Sequence, residues 1–210
     1  MIHLLRGFVV AAGCVVGLSA PVRAQWGVTV TVQRNGFGGT SYDTSTGGTQ
    51  SSFLPGNTPA ATVRLDRRLG RVALGLGIRY SRSAIVLDGE DLFVGLPGEI
   101  TTVEAAPEVR VRLLRTRVGA SVHAYVGPVF GIWMIRDQGT RGVLGGIGGV
   151  AGEFPVLERM SLEVRVGGGL TGSLFRPGEL PPEYERRLTW RTEVGLGLHY
   201  ALGQLTNNVN

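Results

Sequence analysis

Three polar residues in this chain have the types and spacing to do chemistry together. Ser121 and His123 are two residues apart, so in an extended strand both side chains point the same way. Glu108 lies in a neighbouring run, and a two-residue turn at Arg115-Thr116 would set it opposite His123. A hydroxyl, an imidazole and a carboxylate in line are the nucleophile, base and orienter of acyl transfer. A satisfied interior hydrogen-bond network uses the same residue types, and spacing this common also arises by chance. A second candidate is Asp88-Gly89-Glu90-Asp91. Its carboxylates could hold a hard divalent cation through oxygen, shared with the phosphates of a ligand. A solvated loop tip has the same composition. The third group is larger. Arg64, Arg79, Arg110, Arg112, Arg165 and Arg191 accompany Asp66, Glu104, Glu108, Glu163 and Glu193, all on the polar sides of otherwise apolar segments. Near balance of sign predicts paired charges, since unpaired ones in a narrow interior are costly.

The segments that carry these residues alternate strictly. In 188–202, Leu188, Trp190, Val194, Leu196, Leu198, Tyr200 and Leu202 share one face, with Arg191, Glu193, Gly195, Gly197 and His199 on the other. The same period of two runs through 71–80, 103–113, 118–126 and 160–166, and more briefly through 26–33 and 61–67. That is the signature of strands with two unlike faces. The stretch 143–152 is so rich in glycine that its faces cannot be assigned from sequence. About eight strands result.

The links between strands sort by length. Those at 35–59, 83–101, 136–141 and 176–186 are long, polar or rich in Gly and Pro. Those at Leu69-Gly70, Arg115-Thr116 and 153–159 are tight. Long and short alternate, so the strands form antiparallel hairpins with every long loop at one end. With these turns Asp66 falls opposite Ala73, Arg64 opposite Gly75, and Arg110 opposite Ser121, polar face against polar face. Pro107 and Pro128 fall inside strands, and counting from the turn places both near the long-loop rim, where a bulge is tolerated.

Residues 1–24 read as a secretory signal peptide: Arg6, an apolar run from Gly7 to Leu18, then Val22-Arg23-Ala24. The run is too short for a membrane helix. Cleavage after Ala24 removes Cys14, the only cysteine, so neither a disulfide nor a cysteine metal site is expected in the mature chain. It also removes Arg6 and Arg23, taking the net charge from +5 to +3, too small an excess to argue for nucleic acid. The stretch 35–58 is rich in Gly, Ser and Thr, has no metal or phosphate motif, and reads as a flexible external loop.

Eight alternating strands close in two ways. A soluble lipocalin-like barrel of the periplasm puts its apolar face inside; an outer-membrane barrel puts it against lipid. The polar face here is dense in glycine, which suits the crowded interior of a small barrel and not a water-facing surface. Trp190 and Tyr200 stand on the order of 23 Å apart in height at ~45° tilt, close to the apolar band between aromatic girdles. Trp26, Tyr80 and Phe130 also fall near strand ends on apolar faces. The expectation is an all-β, eight-stranded, antiparallel up-and-down transmembrane barrel over 25–202, with a short tail at 203–210.

With its leader, its loop pattern and its last strand, the chain resembles the small OmpA/OmpW-type outer-membrane β-barrel family. The most specific element is EVGLGLHY at 193–200, from Glu193 to Tyr200. It is similar to the C-terminal signal read by the barrel assembly machinery: polar, x, Gly, x, x, apolar, x, aromatic. Family members often end on the aromatic; here Gly203 to Asn210 follow. The resemblance implies residence in the outer membrane, contact with its lipid and lipopolysaccharide, no cofactor, and a structural or surface-interaction role. OmpW-type members imply an alternative, a conduit for small and in part hydrophobic molecules. Some eight-stranded barrels edit lipid A, but their catalytic groups face lipid, whereas Ser121, His123 and Glu108 point inward.

Overall fold

The computed structural model describes residues 25–43, 51–89, 92–136, 139–180 and 182–202. The leader, the tail at 203–210, Glu90 and Asp91 lie outside the described residues. Nine strands follow in order: β1 (Gln25–Asp43), β2 (Ser51–Pro55), β3 (Thr58–Leu69), β4 (Val72–Gly89), β5 (Leu92–Arg115), β6 (Ser121–Ile135), β7 (Gly139–Leu157), β8 (Met160–Thr171) and β9 (Tyr184–Ala201). β1, β3 and β4 to β9 form an antiparallel ring, closed by β4 on β5 and by β1 on β9. β2 continues the line of β3 along the upper part of β4. Closure leaves these eight strands no free edge.

Alternation decides which side chains enter. Thr29, Arg64, Asp66, Arg79, Glu104, Glu163 and Glu193 are buried inside. Val194, Leu196 and Leu198 on β9 are each more than half exposed outside, and the same holds for Val30, Val32, Val63 and Val166. A band of exposed aliphatic side chains around a buried polar interior is the inverse of a soluble barrel. In the glycine-rich β7, Val143, Ile147 and Ala151 point inward, while Leu144 and Val150 point outward.

The long-loop expectation needs correction. The segment 83–101 is mostly a paired hairpin, in which β4 and β5 continue to Gly89 opposite Leu92. Asp88 therefore belongs to the backbone of β4. Strand β1 likewise extends to Asp43.

Two registers also differ from expectation. The β3–β4 turn is Gly70-Arg71, because Gly70 (φ +68°) takes the left-handed first position that a primed hairpin turn demands. Asp66 then pairs with Gly75, and Arg68 with Ala73. Between β5 and β6 the link is 116–120, with a bulge between Arg112 and Leu114. Arg110 therefore faces Tyr125, and Arg112 faces His123. Both slips are even, two residues and four, so every side chain keeps its face.

Pro107 and Pro128 are mid-strand, not at the rim. Pro107 pairs with Leu76 of β4, and Pro128 with Gly146 of β7. Between β5 and β6 the ladder stops at Ala105↔Phe130 and resumes in the same register at Val109↔Val126. The two prolines occupy the centre of that gap, where neither can donate a ladder hydrogen bond. A methyl group on Gly127 would overlap the Pro107 carbonyl, so the strands close tightly there despite the missing rungs.

The outward face predicts a depth-dependent penalty. Leu196→Arg, midway between Trp190 and Tyr200, should lose about 2–4 kcal/mol of folding stability in lipid vesicles, against about 1 or less for Leu202→Arg at the edge. Urea unfolding followed by tryptophan fluorescence reads the difference. Equal losses at both depths would contradict a lipid-facing band.

Candidate functional site

The barrel interior is crossed by a continuous ionic network. Glu163 of β8 takes a bidentate contact from Arg64 of β3 (3.0 and 2.6 Å) and a third bond from Arg110 of β5 (2.8 Å). Arg165 of β8 grips Glu108 of β5 bidentately (2.7 and 3.0 Å) and reaches Glu193 of β9 with Nε (3.1 Å). Arg79 of β4 links Glu193 (2.7 Å) to Glu104 (3.1 Å), which also receives Arg191 of β9. Asp66, fully buried, lies 3.6–3.8 Å from Arg64, Arg68 and His199. Arg64, Arg79, Arg110, Arg165 and Arg191 are all buried with Asp66, Glu104, Glu108, Glu163 and Glu193, and the formal charges of these ten cancel. Arg112, expected among them, is not. It is half-buried at the end of the lumen carrying the short turns, opposite His123.

Several members were missed from sequence. Arg68 makes a bidentate pair with Glu153 of β7 (2.9 and 2.8 Å). Tyr125 donates to Glu193 (2.9 Å) while its ring lies 3.6 Å from the Arg165 guanidinium. A methyl group on Gly167 would overlap the Tyr125 hydroxyl. That glycine on the polar face therefore leaves room for a long side chain from across the barrel, and the glycine density of this face was the available signal.

Ser121 and His123 do meet: Ser121 Oγ is 2.8 Å from His123 Nε2. Glu108 does not join them, since Arg165 holds both its oxygens. The carboxylate near His123 is Glu153, whose Oε2 is 3.6 Å from the same Nε2. A catalytic base needs its orienter on the other ring nitrogen. With hydroxyl and carboxylate on one nitrogen, this trio is not a triad.

At the opposite end the interior turns apolar. Ile85, Ile100, Trp133, Ile135 and Val143 form a buried cluster with Leu174 and Phe175, which descend from the 172–183 connection. Phe37 packs edge-on against Trp133, with ring centres 6.3 Å apart. Arg141, buried in the barrel wall, holds the connection down: it donates to the Leu174 carbonyl and to Glu179 (3.0 Å). The connection from 172 to 180, which overlaps the long link expected at 176–186, thus partly caps the lumen. Its neighbours on β6 escaped the alternation signal because Ile132, Trp133, Met134 and Ile135 are apolar on both faces.

The sequence matches no protein-family profile and no curated protein. Solved structures do match in shape. The outer membrane protein AlkL, determined in lipid bilayers, is 14% identical with a TM-score of 0.57, covering 90% of this chain and 94% of its own. OprG from Pseudomonas aeruginosa is 9% identical at 0.55, covering 84% and 96%, and Neisserial surface protein A is 11% identical at 0.50, covering 84% and 97%. The fold is that of a small outer-membrane β-barrel.

In such barrels the short turns lie on the periplasmic side and the long connections outside. Trp26 and Tyr200 are then exposed at the periplasmic edge, with Arg67 stacked 5.7 Å from the Trp26 ring. Tyr80, Phe130 and Trp190 are exposed on the outer face nine to eleven residues further along their strands, roughly 21–26 Å higher at ~45° tilt. The barrel is thus polar and ion-paired in the middle, apolar and capped at the end of the long connections, and open at the end of the short turns.

Glu163→Gln leaves Arg64 and Arg110 without their full counter-charge in a dry interior, so it should cost about 3–5 kcal/mol. The heat-modified gel band should appear at a clearly lower temperature than in the wild type. Tyr125→Phe should cost less, about 1.5–3 kcal/mol, for one bond to a carboxylate.

Proposed function

We propose that this chain is a non-enzymatic outer-membrane barrel, delivered through the inner membrane by a signal peptide cleaved after Ala24. Its role is structural or surface-interacting, with the extended β1, β4–β5 and β8–β9 connections displayed outside. The observation that carries this reading is the buried network of five arginines and five carboxylates spanning the lumen beneath a capped apolar cluster. A barrel filled in this way anchors its loops and conducts little. Its lipid partners follow from the outer face. Arg34 points outward beside Pro59, toward the outer girdle, where a guanidinium suits lipopolysaccharide phosphates. Assembly goes through the 193–200 signal on β9, which seals the ring against β1.

Planar bilayers with purified barrel should show no stepwise conductance; steady channels would sink the reading. Expression of the wild type and of Ser121→Ala in a Gram-negative host should leave identical lipid A profiles. Remodelling that depends on Ser121 would restore an enzymatic reading.

A second reading, a conduit for small apolar molecules, is favoured by the interrupted β5–β6 ladder. Behind the two prolines the lumen is lined by Ala106, Tyr125, Val129, Ile147 and Ala151, an apolar strip reaching the wall at the gap. Under this reading, uptake of an apolar dye into proteoliposomes should fall when Pro107→Val and Pro128→Val together restore the ladder. Unchanged uptake would remove the conduit.

A further inference from the structure

The charge balance of the lumen fails at its periplasmic mouth. All three short turns bring an arginine to the same opening: Arg71 from the β3–β4 turn, Arg115 beside the β5–β6 link, and Arg159 from the β7–β8 turn. Arg112 lies just inside Arg115. Together with Arg68 they line a cavity of about 400 Å³ whose floor is Ser121, His123, Ser161 and His199. Glu153 is engaged by Arg68. Arg71, Arg112, Arg115 and Arg159 have no ion-pair partner among the described residues; Glu158 is the remaining acid of the rim.

The pairing makes the excess sharper. Arg112 N–H donates to the Arg71 carbonyl, one step beyond the Val72↔Val111 pair, so the two arginines stand opposite each other on adjacent strands. Like charges directly opposite across a sheet are destabilising. Elsewhere in the lumen buried arginines meet carboxylates. Here several cations crowd a concave mouth with low-dielectric walls, which focuses a positive potential on the cavity. The side chains are also on the inward face. Arg112 pairs with buried His123, and Arg115 with Ser121, whereas Arg67, stacked on Trp26, faces outward. Lipid headgroups outside the barrel meet Arg67; a molecule in the mouth meets the others.

We propose that the periplasmic mouth binds a compact soluble polyanion carrying two or more phosphate or carboxylate groups, through Arg71, Arg112, Arg115 and Arg159. Guanidiniums grip both groups in the same forked geometry. Tripolyphosphate and citrate therefore serve as probes, titrated calorimetrically into the full-length folded barrel in zwitterionic micelles. At low salt at least one should bind, weaken as salt rises toward ~0.15 M, and raise the unfolding temperature. Arg71→Gln with Arg112→Gln should weaken binding roughly tenfold to hundredfold, through the loss of two charge-assisted contacts. Without ligand that variant should fold and be at least as stable as the wild type, because the facing like charges are gone. Arg159→Gln, on the opposite wall, should weaken binding by itself, and Arg67→Gln should leave it unchanged. No binding of either probe overturns the proposal, as does equal binding by wild type and the Arg159→Gln variant. Repeating the titration with phosphatidylglycerol in the micelles separates the sources. If that lipid abolishes tripolyphosphate binding, the site belongs to headgroups and the soluble-ligand proposal fails.

Discussion

Charges inside a closed ring of eight strands have no bulk water to turn to, and each must find its opposite among the side chains that share the space. The arrangement of this barrel follows from that. Glu163, Glu193 and Glu104 each take bonds from two arginines on different strands, and Arg165 and Arg79 each reach two acids. Removing one member strands its partners, so the cost of a single loss exceeds the worth of a single pair. Glycine density on the inward face has the same origin. Gly167 stands where Tyr125 must cross to reach Glu193.

The lumen has three zones with different solutions. In the middle, charge meets charge. Toward the outside, Trp133, Ile100, Ile135, Leu174 and Phe175 form a small apolar core, where exclusion of water is the driving force. At the end of the short turns arginines outnumber acids, and only Glu153 among the described lining carboxylates is seen paired, with Arg68. The middle zone fills the lumen with paired side chains, the outer zone packs the 172–180 connection onto the strands, and the mouth carries an excess of arginine.

Much of this was legible in the sequence, for one reason. The period of two is insensitive to even errors in register, so faces survived although both tight turns were misplaced. Contacts between particular residues did not survive. Glu108 was set opposite His123 by a four-residue slip, and with it a triad that the structure replaces by a Glu108–Arg165 pair. Gly70 could have fixed the first hairpin, since its place in a primed turn is constrained; the bulge at 112–114 left no comparable mark. The apolar outer core was hidden because β6 is hydrophobic on both faces there, and alternation carries no signal when both neighbours are apolar.

The interrupted rungs at Pro107 and Pro128 have a consequence for how the wall keeps its shape. In the ring order β1-β3-β4-β5-β6-β7-β8-β9, the β5–β6 joint lies diametrically opposite the β1–β9 joint that closes the circle. These joints divide the wall into two arcs of four strands. Arg64–Glu163, Arg110–Glu163, Glu108–Arg165, Arg79–Glu193, Glu104–Arg191 and Arg68–Glu153 each run from one arc to the other. The barrel is therefore built like a wheel whose rim is thin at one place. Its roundness there is braced by spokes, which add to the ladder that β5 and β6 keep above and below the gap.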